Sequence, residues 1–261
     1  MTHDTGEHPS PLQPATRIVQ VALNGDSTHP AMPRTPEETA TDAAACVAAG
    51  ANLLHLHAFD DDGAETLAPG PVGRAIRAVR ESCPGIPISM TTFARIDPDP
   101  ARRLASVGAW AVLPDLIPAN QDEDGIVELA DLLAGRGVGV EACVFTVADV
   151  HTLVRRGGLH RFRRVVVEPV DEDPEQACAH AAAMEAALTA AGVTLEQVQH
   201  GVDAASWPVL RRAVERGHGI RTGIEDVHTL PDGTPAPGNA DLVRAAVAIA
   251  GSGRGPTGPR Q

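Results

Sequence analysis

Short apolar runs alternate with helical segments eight times along this chain, and that rhythm restricts the fold more than any other feature. The runs fall at 17–23, 52–57, 86–90, 109–113, 138–145, 164–168, 197–200 and 219–224. The helices fall between and after them, at 36–49, 72–82, 100–107, 122–134, 147–156, 174–191, 204–216 and 240–250. The first helix carries its start signal openly. Thr35-Pro36-Glu37-Glu38 offers an N-cap, a proline in the first turn and acids at the positive end of the dipole. Strand–helix alternation of this kind implies a parallel sheet with helices packed outside. Eight units within 261 residues favour a TIM (β/α)8 barrel as one domain over residues 16–250. A doubly wound open sheet is the alternative, weakened because no Gly-rich phosphate loop follows the first strand. Residues 1–15 and 251–261 read as a flexible arm and tail.

Composition removes several classes of function. Aromatic residues make up 2% of the chain and Tyr is absent, so base-stacking platforms lack their material. A formal charge of -13 opposes general nucleic-acid binding. Cys46, Cys83, Cys143 and Cys178 lie far apart with no CxxC pair, as expected of reduced thiols. No signal-peptide pattern and no membrane-length apolar stretch are present, so a soluble cytoplasmic protein is expected.

The strands end in polar residues: Asn24, His55 with His57, Ser89 with Thr91, Asp115, Glu141, Glu168, His200, and Arg221 with Glu225. In a barrel those ends converge on one mouth, where active sites lie. His55 and His57 are two residues apart on a strand, so both imidazoles point to the same face. Burying two unpaired imidazoles is costly, which favours ligation of one ion. Gly219-Ile220-Arg221-Thr222-Gly223-Ile224-Glu225-Asp226 supplies the carboxylates. If the strand continues through it, Arg221, Gly223 and Glu225 share a face, with Gly223 leaving room for an ion or ligand. Glu225 then completes a metal set with the two histidines, and Asp226 at the rim is a candidate general base. Glu141 is a candidate for orienting a ligand histidine or moving a proton, and Glu168 for the same or for capping a helix. Arg95 and Arg221 are candidates for holding a substrate carboxylate, and Ser89, Thr91 and Thr92 offer hydroxyl donors. His200, His218 and His228 are not assigned as ligands.

These segments resemble the β-keto acid cleavage enzymes, whose first-described member is the 3-keto-5-aminohexanoate cleavage enzyme. The resemblance spans Val19 to Ala250. It rests on Pro33-Arg34-Thr35-Pro36-Glu37-Glu38, on Ala48-Ala49-Gly50-Ala51 leading to His55-Leu56-His57, on the segment from Gly219 to Asp226, and on Gly238-Asn239-Ala240-Asp241-Leu242-Val243. It implies an oligomeric TIM barrel with a divalent metal, typically Zn2+, on His55, His57 and Glu225. It implies a retro-Claisen exchange in which a β-keto acid and acetyl-CoA become an acyl-CoA and acetoacetate. Asp226 takes the acid–base role and Arg221 the positioning role. Ser89, Thr91 and Asn239 are expected to contact substrate.

The chain departs from the family pattern at several points. Phe59 stands where an Arg is usual, and Ser27 where a Glu is common. Val167-Glu168-Pro169-Val170-Asp171 replaces a Gly-rich segment, and His200-Gly201-Val202-Asp203 replaces a Gly-Ile-Gly-Arg-like stretch. Phe59 is expected to make the pocket less receptive to anionic keto acids. Two other readings stand beside the first: a CoA-independent metal-dependent aldolase or hydrolase on the same barrel, and a metal-binding barrel without catalysis.

Overall fold

The computed structural model describes residues 17–252. Eight parallel strands close in sequence order: β1 (Val19–Ala22), β2 (Leu53–Leu56), β3 (Ile88–Met90), β4 (Leu116–Asn120), β5 (Gly139–Val144), β6 (Phe162–Val167), β7 (Glu196–Gln199) and β8 (Gly219–Thr222). Pairing of β1 with β8, Gln20 beside Arg221, completes the ring. Helices α1 (Pro36–Ala49), α2 (Pro69–Ser82), α3 (Pro100–Gly108), α4 (Ile126–Ala134), α5 (Val147–Arg156), α6 (Pro174–Ala190), α7 (Ser206–Glu215) and α8 (Asn239–Ser252) follow the strands in turn. The chain is a TIM (β/α)8 barrel. The arm expected at 1–15 lies outside the described residues, as does the expected tail apart from Gly251 and Ser252, which belong to α8. Among the described residues no helix is long and apolar enough to cross a membrane.

The period of two along each strand divides the barrel into an oily outside and a polar inside. Val19, Val21, Leu54, Leu56, Ile88, Met90, Ile117 and Ile220 join the apolar layer shared with the helices. Ala142, Val144, Val165 and Val167 do the same in a second cluster with α5 and α6. The alternate positions are laterally paired as Gln20–Leu53, Ala22–His55, His55–Ser89, Pro118–Glu141 and Glu141–Arg164. The functional groups therefore enter the interior as the obligatory other face of strands whose outer face is apolar.

Helix starts follow the expected chemistry. Thr35 caps α1 in a full capping box with Glu38, and Pro36 opens the helix. Thr146 and Asp149 do the same for α5, and Asp99 and Asp173 cap α3 and α6.

The fourth strand departs from expectation. Residues 109–113 do not form it. Trp110 is buried, and its indole N–H donates to the Leu67 carbonyl at 2.8 Å, so this apolar run plugs the shell ahead of the strand. The strand is Leu116–Asn120, and it accommodates Pro118 because pairing with β3 is limited to Ser89 beside Leu116. Asp115 consequently enters β4 instead of ending it. It sits at the end remote from the mouth, accepting from Ile88 N at 3.0 Å and from Arg80 at 3.2 Å. Helix α4 also starts later than expected, after Gly125 at φ +73.

Candidate functional site

Strand β2 delivers His55 to the mouth and His57 follows its last residue, with both side chains nearly fully buried. Their Nε2 atoms lie 3.3 Å apart. Glu225 closes the triangle, with Oε1 3.4 Å from His57 Nε2 and Oε2 3.7 Å from His55 Nε2. Three ligand atoms on a tetrahedral zinc-sized ion, at bonds of about 2.05 Å, stand about 3.3 Å apart. The spacing therefore fits one small divalent cation, and among the described residues this is a group of three donors that can hold one. Glu225 Oε2 is buried without a hydrogen-bond partner, as a waiting ligand atom would be.

The ring nitrogens facing away from the triangle are occupied. His57 Nδ1 is 2.5 Å from Glu65 Oε1, and His55 Nδ1 is 3.4 Å from Ser89 Oγ. Ser89 in turn donates to Glu141 Oε2 at 2.7 Å. Burial drives His55 well below its ordinary pKa, helped by the charges of Arg221, His57 and His200, so it is a neutral imidazole. Burial also pulls His57 down, but the carboxylates of Glu225 and Glu65 outweigh it and raise the ring to about 9. Burial raises Glu141 as well.

Strand β8 ends at Thr222, earlier than expected, and Glu225 reaches the triangle from a turn. Gly223 holds φ +151, and a Cβ there would sit 2.0 Å from the Ala22 carbonyl oxygen. The space expected beside Gly223 for an ion is thus filled by the backbone of β1. Gly25, at φ +93, lies so close to Glu225 that a Cβ would meet its Cγ at 3.0 Å. The loop after β1 therefore presses on the third donor.

Arg221 forks onto Asp226 through Nε–Oδ2 at 3.0 Å and Nη2–Oδ1 at 2.8 Å, and its Nη2 also lies 3.3 Å from Glu225 Oε2. Burial pushes the Asp226 carboxyl up, but Arg221 and then His200 more than compensate and hold it below the usual range. Asp226 is therefore ionised, and it lies behind Arg221 instead of on the open rim.

A cavity of about 90 Å³ opens over the triangle. Its polar lining includes His55, His57, Glu225, Arg221, Thr91, Asn120 and Glu168, and Phe93, Phe145 and Pro118 form apolar walls. His200, fully buried, stands behind with Nε2 3.2 Å from Glu168 and Nδ1 3.7 Å from Asp226. Ser89 and Glu141 lie beneath His55 and act on it from below. Thr92 donates to the Pro118 carbonyl.

Four expectations about the substrate pocket need correction. Ser89 is fully buried beneath His55 and does not line the cavity, so it is not a substrate contact. Asn239 has no free polar atom to offer a substrate. Its amide donates to Leu23 O and Asp42 and accepts from Ile224 N, which ties α8 to the ends of β1 and β8. Arg95 is occupied by Asp26 at 3.2 Å and Glu65 at 3.0 Å. Phe59 is buried in a hairpin under Arg34, apart from the cavity, so it does not set the pocket's charge. The sequence reading missed Glu65. The turn signal Asp60-Asp61-Asp62-Gly63 was the available clue, since a hairpin there returns the chain to His57.

Residues 17–260 match the family model for the beta-keto acid cleavage enzyme. The chain belongs to the β-keto acid cleavage enzyme family. It is 27% identical over 245 residues to the 3-keto-5-aminohexanoate cleavage enzyme of Fusobacterium nucleatum, covering 85% of each chain. It is 27% identical over 261 residues to the 3-oxoadipate:acetyl-CoA acetyltransferase of Cupriavidus necator, covering 89% of this chain and 87% of that one. Among solved structures, the ternary complex of ObcA with a C4-CoA adduct and oxalate superposes with a TM-score of 0.71 at 18% identity. That match covers 86% of this chain and 65% of ObcA, which is the longer protein, and it shows the shared fold. In this β-keto acid cleavage enzyme the His-His-Glu triangle, the Arg221–Asp226 fork and the cavity share one barrel mouth.

Proposed function

We propose that the protein exchanges the acyl group of a β-keto acid with acetyl-CoA, yielding an acyl-CoA and acetoacetate, with a divalent cation, zinc in our reading, on His55, His57 and Glu225. The observation that carries this is the donor triangle beside the Arg221–Asp226 fork under a cavity of about 90 Å³. Family membership and the name of the Cupriavidus necator relative support the choice of acetyl-CoA. When bound, the cation supplies Lewis acidity to the keto oxygen.

Arg221, which faces the cavity, takes the substrate carboxylate on Nη1, since Nε and Nη2 are engaged by Asp226. Thr91 and Asn120 add polar contacts from the opposite wall, and Phe93 and Phe145 enclose the acyl chain. Asp226, held ionised by Arg221, accepts the proton from C2 of the keto acid. The resulting carbanion attacks the thioester carbonyl, and CoA leaves as thiolate. The thiolate then attacks the original keto carbon, the old carbon–carbon bond breaks, and the proton returns to C2 of acetoacetate. No electrons are gained or lost overall. Both Asp226 oxygens lie in the Arg221 fork, so the fork opens before Asp226 takes the proton. Glu141 steadies His55 through Ser89.

The CoA-independent aldolase or hydrolase keeps one argument in its favour. The loop after β6 carries Glu168, Asp171, Glu172 and Asp173, an unfavourable surface for the phosphates of CoA. Isotope placement separates the readings. With acetyl-labelled acetyl-CoA, the label belongs in carbons 3 and 4 of acetoacetate. Keto-acid consumption without acetyl-CoA, or unlabelled acetoacetate, refutes the exchange. The reading also carries a homo-oligomer in the cytoplasm; light scattering of the purified protein measures the first part. Four free cysteines suit a reducing compartment.

A further inference from the structure

We infer that Glu65 is a positioning residue for the metal site, fixing the His57 ring so that Nε2 faces the cation. The inference rests on the reading that His55, His57 and Glu225 hold that cation.

An imidazole offers two nitrogens, and whichever one is hydrogen-bonded decides which is left to ligate. At His57 the choice is made by the Glu65 carboxylate, 2.5 Å from Nδ1 with a side chain only 13% exposed. Accepting the Nδ1 proton also raises electron density at Nε2.

The chain reaches this arrangement through a hairpin. Thr66 N donates to Ala58 O and Asp60 N to Ala64 O, both at 2.9 Å, and Phe59 bridges Glu65. Glu65 is eight residues from His57 in sequence, yet it returns against the ring. Its second oxygen lies 3.0 Å from Arg95 Nη2, and Arg95 Nη1 lies 3.2 Å from Asp26. The loops after β1, β2 and β3 are thereby tied to one ligand. Arg95 is braced against Phe93, 5.4 Å from the ring centroid, and Phe93 lines the cavity.

The two ends of this string differ in weight. The Glu65–His57 contact is sheltered, whereas Arg95 and Asp26 are 43% and 63% exposed in their side chains, so their pairing contributes little. His55 has the weaker partner, the Ser89 hydroxyl at 3.4 Å. His57 is therefore the better-anchored ligand.

The test is Zn2+ affinity of the full-length, metal-stripped protein, measured by competition with a chromophoric chelator, together with apo-protein melting. Glu65→Ala weakens zinc binding by about 10- to 100-fold. Glu65→Gln, whose amide oxygen still accepts from Nδ1, recovers most of it. Arg95→Met changes affinity by less than about fivefold. Apo melting temperatures of the set stay together. Unchanged zinc affinity in Glu65→Ala overturns the inference, as does an affinity loss explained by a collapsed apo melt. A wild type that binds no zinc overturns the metal reading itself, and this inference with it.

Discussion

Arg221 and Asp226 meet through two parallel hydrogen bonds, at 3.0 and 2.8 Å, in a mouth where they are 8% and 4% exposed. A fork of this kind fixes the guanidinium in plane and keeps the carboxylate charged in a place where burial alone would neutralise it.

Removing one partner strands the other. Arg221→Met should lower unfolding stability by about 3–5 kcal/mol, because Asp226 is left buried with only His200, 3.7 Å away, beside it. The double variant Arg221→Met/Asp226→Leu should recover much of that loss while remaining inactive. Urea melts of the two variants check this. Equal stability of wild type and Arg221→Met would show that the fork contributes nothing to the fold.

His55→Ala should abolish most metal binding while leaving the barrel folded, since His55 is one of three donors and makes a single weak contact below, to Ser89 at 3.4 Å. Metal analysis and far-UV circular dichroism on the same sample decide it. Full metal retention would remove His55 from the ligand set.

The eightfold rhythm, the cap of α1 and the two histidines were legible because each depends on residues close in sequence. Strand four was not. Residues 109–113 are as apolar as a strand, but Trp110 has an indole partner at Leu67 that no local pattern reveals. With the strand displaced, Asp115 moved from the mouth to the opposite end. The role of Gly223 was misread for a related reason, since the neighbour it approaches, Ala22, is about two hundred residues away. Glu65 and Arg95 were invisible as a pair because a hairpin and a loop from different strands bring them together.

Gly223→Ala should be among the most damaging single substitutions. The added Cβ would lie 2.0 Å from Ala22 O at a backbone φ of +151. β8 must then part from β1 and carry Glu225 with it, at a cost of more than about 3 kcal/mol. Thermal melting should fall sharply and zinc affinity with it. A variant of wild-type stability would mean that the β1–β8 seam yields easily.

Asp42 supplies a pH dependence away from the site. Burial raises its carboxyl from 3.8 to about 6, only partly offset by the Asn239 amide. The folded state therefore binds the proton more tightly than the unfolded state. That contribution is fully present below pH ~4 and is lost as pH rises through about 6. Asp42→Asn should flatten the melting profile between pH 4 and 7 and raise stability at pH 7.5 by about 1–3 kcal/mol. Melts across that range give the slope directly, and an unchanged slope would assign it to another group.

The most direct test of the account titrates Zn2+ into stripped protein while recording acetyl-CoA-dependent acetoacetate formation over a panel of β-keto acids. The predicted result is activity that rises in proportion to occupancy and saturates near one ion per chain. Full activity in the stripped protein, or stoichiometric zinc binding with no acetoacetate from any keto acid, would contradict it.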